Sequence, residues 1–208
     1  MPVDVKICGL TTRDDALYAL EMGADFLGFV LYAESPRGIS ARTLFTIIDR
    51  SEEITNAVGV FVNAAPEDVR AIAGDCGLCA VQLHGDEEPD PFADVGTPAW
   101  RAVKMRDGTC VPSPEAWPVD RFVVDANVPG HYGGTGQLAD WDAASGLAKD
   151  HRVMLSGGLS AETVADGIGK VGPLGVDVSS GVESSPGRKD RDKIRAFITA
   201  AKAATLEE

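Results

Sequence analysis

The chain has 208 residues, 44% hydrophobic and 25% charged, with a formal net charge of −13. That length and composition fit one well-buried globular domain. They exclude a nucleic-acid binder, because the chain has no basic stripe, and a bilayer-spanning protein, because no apolar run approaches the roughly 20 residues required. Asp4 and Lys6 interrupt any N-terminal signal-peptide pattern, so the expected location is cytoplasmic.

The first apolar run, VDVKIC (3–8), ends on a cysteine and a glycine, and a polar helix start follows at once. TTRDDALYALEMG (11–23) begins with threonine and two acids and stops at Gly23, the grammar of a capped helix. Further apolar runs follow: DFLGFV (25–30), AVGVFV (57–62), CAVQLH (79–84), AWRAV (99–103), RFVVD (121–125), RVMLS (152–156) and LGVDV (174–178). Helical patterns lie between several of them, at 40–51, 65–77 and 160–172. A last one at 191–204 places Ile194, Phe197, Ile198 and Ala201 on one face. Eight strands alternating with helices predict a single (β/α)8 barrel over 1–208. The chain is short for that fold, and segment 104–120, with three prolines and no periodicity, is the expected place of an abbreviated fifth helix.

Cys76 and Cys79 form a C-x-x-C that precedes a strand and has no second Cys/His pair. It reads as a helix end and strand start, and no metal is expected. Asp and Glu total 32 against seven lysines, a composition that suits a surface adapted to high salt.

Barrels keep their chemistry at the C-terminal ends of the strands. Those ends read Cys8, Val30, Val62, His84, Val103, Asp125, Ser156 and Val178, of which Cys8, His84 and Asp125 can do acid–base or nucleophilic work. Gln82 is expected in the barrel interior. After strands seven and eight come Gly157-Gly158 and Ser179-Ser180-Gly181, two Gly/Ser loops where barrels cradle phosphate. Arg37, on the loop after strand two, suits a substrate carboxylate. The Gly-rich run from 127 to 142 reads as a lid. Alternation along the first strand points Asp4, Lys6 and Cys8 to one side. Because strand eight closes against strand one, Asp177 is the expected ion-pair partner of Lys6. That lysine would also help hold Cys8 as thiolate.

Together these segments resemble the phosphoribosylanthranilate isomerase family of tryptophan biosynthesis. The resemblance rests on KICGLT (6–11), SPRGIS (35–40), GVFVN (59–63), VQLHG (81–85), LSGGLSAETV (155–164), GVDVSSGVESSPGRKD (175–190) and KIRAFI (193–198). It also takes in VVDA, YGGTG and DW within 124–142. It implies a (β/α)8 barrel with a shortened fifth helix and an Amadori rearrangement of N-(5-phosphoribosyl)anthranilate to the aminoketose. Cys8 would be general base, Asp125 general acid, and Arg37 would hold the anthranilate carboxylate. It implies no cofactor and no partner beyond the small-molecule substrate, and it leaves oligomeric state open. With its acid form needed first, Asp125 is expected to have a raised pKa, and Gly9 to leave room for substrate beside Cys8. The rivals are a related aminoaldose isomerase or phosphate-binding synthase on the same barrel, and a catalytically idle barrel. The cysteine at strand one and the full set Cys8, Arg37 and Asp125 speak against them.

Overall fold

A computed structural model describes residues 3–49, 52–106, 109–126 and 138–204. Eight parallel strands form the barrel: β1 (Asp4–Ile7), β2 (Phe26–Val30), β3 (Ala57–Phe61), β4 (Ala80–Leu83), β5 (Ala99–Arg106), β6 (Arg121–Asp125), β7 (Val153–Leu155) and β8 (Gly175–Val178). Neighbours run β4-β3-β2-β1-β8-β7-β6-β5, and β4 pairs with β5 to close the ring. Most strands are four or five residues of largely buried apolar side chains, because in a closed parallel barrel both faces are covered.

The helices are α1 (Arg13–Glu21), α2 (Ala41–Asp49), α3 (Pro66–Cys76), α4 (Trp141–Ala148), α5 (Val164–Val171) and α6 (Arg191–Ala203). Their ends follow the sequence grammar. Thr12 accepts from the Asp15 N–H, Pro66 opens α3, and Gly77 and Gly172 close α3 and α5 in the left-handed region. Asp190 caps α6 through the Asp192 and Lys193 N–H groups. Ile194, Phe197, Ile198 and Ala201 are buried, as their spacing requires. The three large ones contribute about 1.5–3 kcal/mol each by burial.

Among the described residues, the fourth and fifth crossovers show no α-helix. The fifth, as expected, shows a short antiparallel strand (Thr109–Val111) paired with the end of β5 and a 3-10 turn at Pro114–Ala116. The fourth is abbreviated as well, to a 3-10 turn at Asp90–Phe92. The crossover between β6 and β7 carries α4, a helix the sequence reading did not single out, capped by Asp140 through the Ala143 N–H. Its eight residues take in the last two positions of the Gly-rich run, Trp141 and Asp142.

There are two cores. The large one lies between strands and helices. The small one fills the barrel with Val58, Ala80, Trp100, Val123 and Met154. At the barrel floor Arg121 lies over the rings of Phe26 and Trp100, at 4.8 and 4.9 Å, and its guanidinium is 2.6 Å from Asp4. Cys76 ends α3 and Cys79 precedes β4, both as free thiols, and no cluster able to hold a metal occurs among the described residues. Nor, among those residues, is any helix long and apolar enough to cross a membrane.

Candidate active site

Cys8, Arg37, Gln82, His84, Asp125, Asp177 and Ser179 line one cavity at the mouth of the barrel, with Tyr32, Ser35 and Ser156. The alternation of β1 accounts for the first layer. Lys6 and Cys8 share a face, and the register that sets Lys6 opposite Asp177 brings Lys6 Nζ to 3.0 Å from Asp177 Oδ1, the expected pair. Lys6 is fully buried. Burial opposes its charge, but Asp177 and Cys8 outweigh burial and raise its pKa above the ordinary lysine value.

Gly28, on β2, is what lets this layer form. A Cβ there would lie 2.7 Å from Cys8 Sγ and 3.0 Å from Lys6 Nζ, so thiol and ammonium occupy space that any other residue would fill. At Gly9 φ is +72°, and a Cβ would sit 2.6 Å from Arg37 Cδ and 2.9 Å from Ser179 Oγ. The absence of a side chain there leaves room for the arginine stem.

Burial pushes the Cys8 thiol up, Lys6 and Lys189 pull it down, and Asp177 adds to the rise; the net direction is upward. Asp125 departs from expectation in the opposite sense. Burial works to raise its pKa, but the His84 imidazole and the Ala126 N–H, 2.7 Å from Oδ1, outweigh it, and the carboxyl lies below its ordinary range. The expected rise is reversed by the histidine opposite.

His84 Nε2 is 3.3 Å from Asp125 Oδ2, near enough for attraction but not aligned as a hydrogen bond. The other ring nitrogen, Nδ1, is 2.9 Å from Gln82 Nε2. With the amide as donor, Nδ1 accepts and Nε2 carries the proton toward Asp125. The loop bearing His84 is fastened by Arg101, buried on β5, which donates to the carbonyls of Leu83 and Gly85 and pairs with Glu87 at 2.5 Å. Glu87 in turn accepts from the Gly85 and Asn63 N–H groups.

Arg37 is buried, not splayed on the surface. Its Nε and Nη2 each lie 2.8 Å from a carboxylate oxygen of Glu183, and Lys189 Nζ is 2.9 Å from the same carboxylate and 3.0 Å from the Ser179 carbonyl. Neither Glu183 nor Lys189 stood out in the sequence, although both lie in the motif-rich segment 175–190. The signal for them was their spacing, six residues apart across a hairpin in which they face each other.

Gly157 and Gly158 both take positive φ, +79° and +63°. Among the described residues, their N–H groups donate to no backbone carbonyl. Gly181 packs so closely against the Leu159 carbonyl that a Cβ would overlap it, which brings the loops after β7 and β8 together. Ser180 begins a 3-10 turn, Ser180–Val182. The expected lid and His131 lie outside the described residues for all but its last five positions, 138–142.

The fold and the rim define a (β/α)8 barrel whose titratable groups Cys8, His84, Asp125 and Asp177 gather at one mouth. Residues 5–200 match the family model of N-(5'-phosphoribosyl)anthranilate isomerase. The chain is similar to the N-(5'-phosphoribosyl)anthranilate isomerase of Trichlorobacter lovleyi, 46% identical over 97% of this chain and 99% of the relative. It is similar also to that of Myxococcus xanthus, 40% identical over the whole of both. Among solved structures it resembles phosphoribosyl anthranilate isomerase from Thermus thermophilus, with TM-score 0.85 and 33% identity over 95% of this chain and 98% of that one. A second, with TM-score 0.80 and 35% identity over 96% and 98%, was solved in complex with reduced 1-(o-carboxyphenylamino)-1-deoxyribulose 5-phosphate. The chain belongs to the N-(5'-phosphoribosyl)anthranilate isomerase family.

Proposed function

We propose that this barrel, acting as a single cytoplasmic domain with no cofactor and no nucleic-acid partner, converts N-(5-phosphoribosyl)anthranilate to 1-(o-carboxyphenylamino)-1-deoxyribulose 5-phosphate. The observation that carries the reading is that Cys8, from the end of β1, and Asp125, from the end of β6, open on one buried cavity from separate strands of the ring. The Amadori rearrangement needs that arrangement. Asp125 gives its proton to the ribose ring oxygen as the C1′–O bond breaks, leaving an iminium at C1′. Cys8 thiolate then removes the proton from C2′, and the electron pair moves to give an enolamine that tautomerises to the ketose. No electrons enter or leave.

The resting site holds the opposite protonation: burial favours Cys8 as thiol, and His84 favours Asp125 as carboxylate. The two arrangements, thiol with carboxylate and thiolate with carboxylic acid, carry the same net charge and differ only in where one proton sits. The substrate's own anionic groups raise Asp125, and Lys6 stabilises the thiolate, so binding selects the competent form without a change of pH. Arg37 holds the anthranilate carboxylate. The loops Gly157-Gly158 and Ser179-Ser180-Gly181 hold the phosphate through backbone N–H groups, which lets a chain of net charge −13 bind a substrate that carries both a phosphate and a carboxylate.

The test is turnover of phosphoribosylanthranilate followed by loss of anthranilate fluorescence. Conversion to the aminoketose is expected. Failure to convert it, with the anion still bound, would leave the idle-barrel reading.

A further inference from the structure

The strongest feature that the reaction scheme does not use is a charge imbalance behind Arg37. Arg37 and Lys189 both bond the single carboxylate of Glu183. All three are removed from solvent, with the Lys189 side chain fully so and Glu183 at 4%. A further cation, Lys193, reaches the Glu183 backbone carbonyl at 2.7 Å. Lys6 is already matched by Asp177. Two buried cations therefore share one buried anion, a net of one positive charge where uncompensated charge is costly.

We propose that Lys189 is a positioning residue for the substrate's carboxylate: it satisfies Glu183 from behind, so that Arg37 keeps a positive charge in excess and turns its free edge to an incoming aryl carboxylate. The inference rests on the reading of Arg37 as the carboxylate site.

Arg37 has five N–H donors. Glu183 takes two of them, and the Nη1 group makes no hydrogen bond to protein among the described residues while Arg37 lines the mouth cavity. Without Lys189, Arg37 and Glu183 would form a neutral closed pair, and an arriving carboxylate would face an equal opposing charge. With Lys189 present, the Arg37–Glu183–Lys189 row is one anion short, and the substrate supplies it. The Lys189 ammonium donates to Glu183 and to the Ser179 carbonyl, and the charges of Arg37 and Cys8 act on it as well. Burial lowers its pKa and Glu183 and Cys8 work against that fall, as for a cation held in place by its partner. The geometry also explains why the lysine sits on a hairpin: Glu183 and Lys189 are paired positions, so the backbone itself sets their approach.

The test compares two probes, reduced 1-(o-carboxyphenylamino)-1-deoxyribulose 5-phosphate and the same molecule lacking the carboxyl group, by isothermal titration. Lys189→Met should weaken the carboxylated probe about tenfold or more and leave the other within about twofold. The double variant Lys189→Met/Glu183→Gln restores one excess positive charge at Arg37 and should recover part of that loss. Equal weakening of both probes, or no recovery in the double variant, would overturn the proposal, as would a change confined to Cys8 reactivity. If Lys189→Met does not fold by circular dichroism, the double variant alone decides, by whether it keeps the wild-type ratio of the two affinities. Arg37→Ala separates the two levels. If it weakens both probes equally, the carboxylate site itself is misplaced. If it weakens the carboxylated probe selectively and Lys189→Met does not, only the inference about Lys189 falls.

Discussion

The two ends of the barrel interior carry similar chemistry to different effect. At the floor, Arg121 meets Asp4 and Asp120 and stacks on two aromatic rings, and its charge is answered on every side. At the mouth, Lys6–Asp177, His84–Asp125 and the Arg37–Glu183–Lys189 row crowd round a cavity. There Gln82 Oε1, His84 Nε2 and Ser179 Oγ are buried without a hydrogen-bond partner in the protein. Buried ion pairs by themselves do not mark a site, since the floor has one as close as any at the mouth. Buried atoms without a partner also occur away from the mouth, at Asn56, Arg101 and Trp141; what marks the mouth is that three of them converge on one cavity, where a ligand can offset the cost of burying them.

Breaking the mouth should abolish chemistry and spare the fold. Cys8→Ser and Asp125→Asn should each lower kcat by about 10³-fold or more, with a near-native far-UV spectrum. A variant that keeps a tenth of the wild-type rate would remove its residue from the acid–base pair. Arg37→Ala should follow, with a loss on the order of 2–4 kcal/mol in kcat/KM. A KM and kcat both near normal would leave Arg37 as a partner of Glu183 alone.

Breaking the floor should do the reverse. Arg121→Met leaves the Asp4 carboxylate, part-exposed to solvent, without its cation, and should destabilise by about 2–3 kcal/mol with kcat of the folded enzyme unchanged. A large fall in kcat would mean that floor and mouth are coupled through the barrel core.

The mouth also makes a pH-dependent contribution. The Asp125 carboxyl lies below its ordinary range in the folded state, so the unfolded chain binds its proton more readily. Ionised Asp125 therefore stabilises the fold fully above the unfolded value, about 3.9, and that increment is lost as pH falls through the folded value. The stability gap between wild type and Asp125→Asn, from urea unfolding, should be larger at pH 7 than near pH 3. A gap independent of pH would mean that His84 and Ala126 do not favour the ionised form. The smallest effect belongs to the exterior. With a net charge of −13, lowering salt should lower Tm, since unscreened carboxylates repel. An unchanged or higher Tm would break the reading of a salt-adapted surface.

Much of the frame was legible in the sequence because strands announce themselves by composition. The expected runs coincide with β1–β8 to within a residue or two at most ends, although β5 runs on to Arg106. Lys6–Asp177 was legible for a topological reason: closing a ring of eight forces strand one against strand eight. The missing helix between β4 and β5 was not, because DEEPDPFADVGTP resembles any polar connection until the distance it must span is known. Helix α4 was hidden by the Gly-rich run before it and by its own Gly146. Glu183, Lys189 and Gly28 escaped because their roles are relational. A glycine inside a strand reads as a weak strand position until Cys8 Sγ and Lys6 Nζ are seen in its shadow. The direction at Asp125 escaped for the same reason, as strand β4 brings His84 across the barrel.

The measurement that bears most directly on the assignment of base and acid is the isotope effect on kcat/KM with substrate deuterated at C2′, taken in Cys8→Ser and in Asp125→Asn. If Cys8 removes the C2′ proton and Asp125 opens the ring, the Cys8→Ser enzyme should be limited by C2′ proton transfer and show a large primary effect. The Asp125→Asn enzyme, limited by ring opening, should show one near unity. The opposite pattern would exchange the two roles, and a large effect in both would contradict the division of labour between the two strand ends.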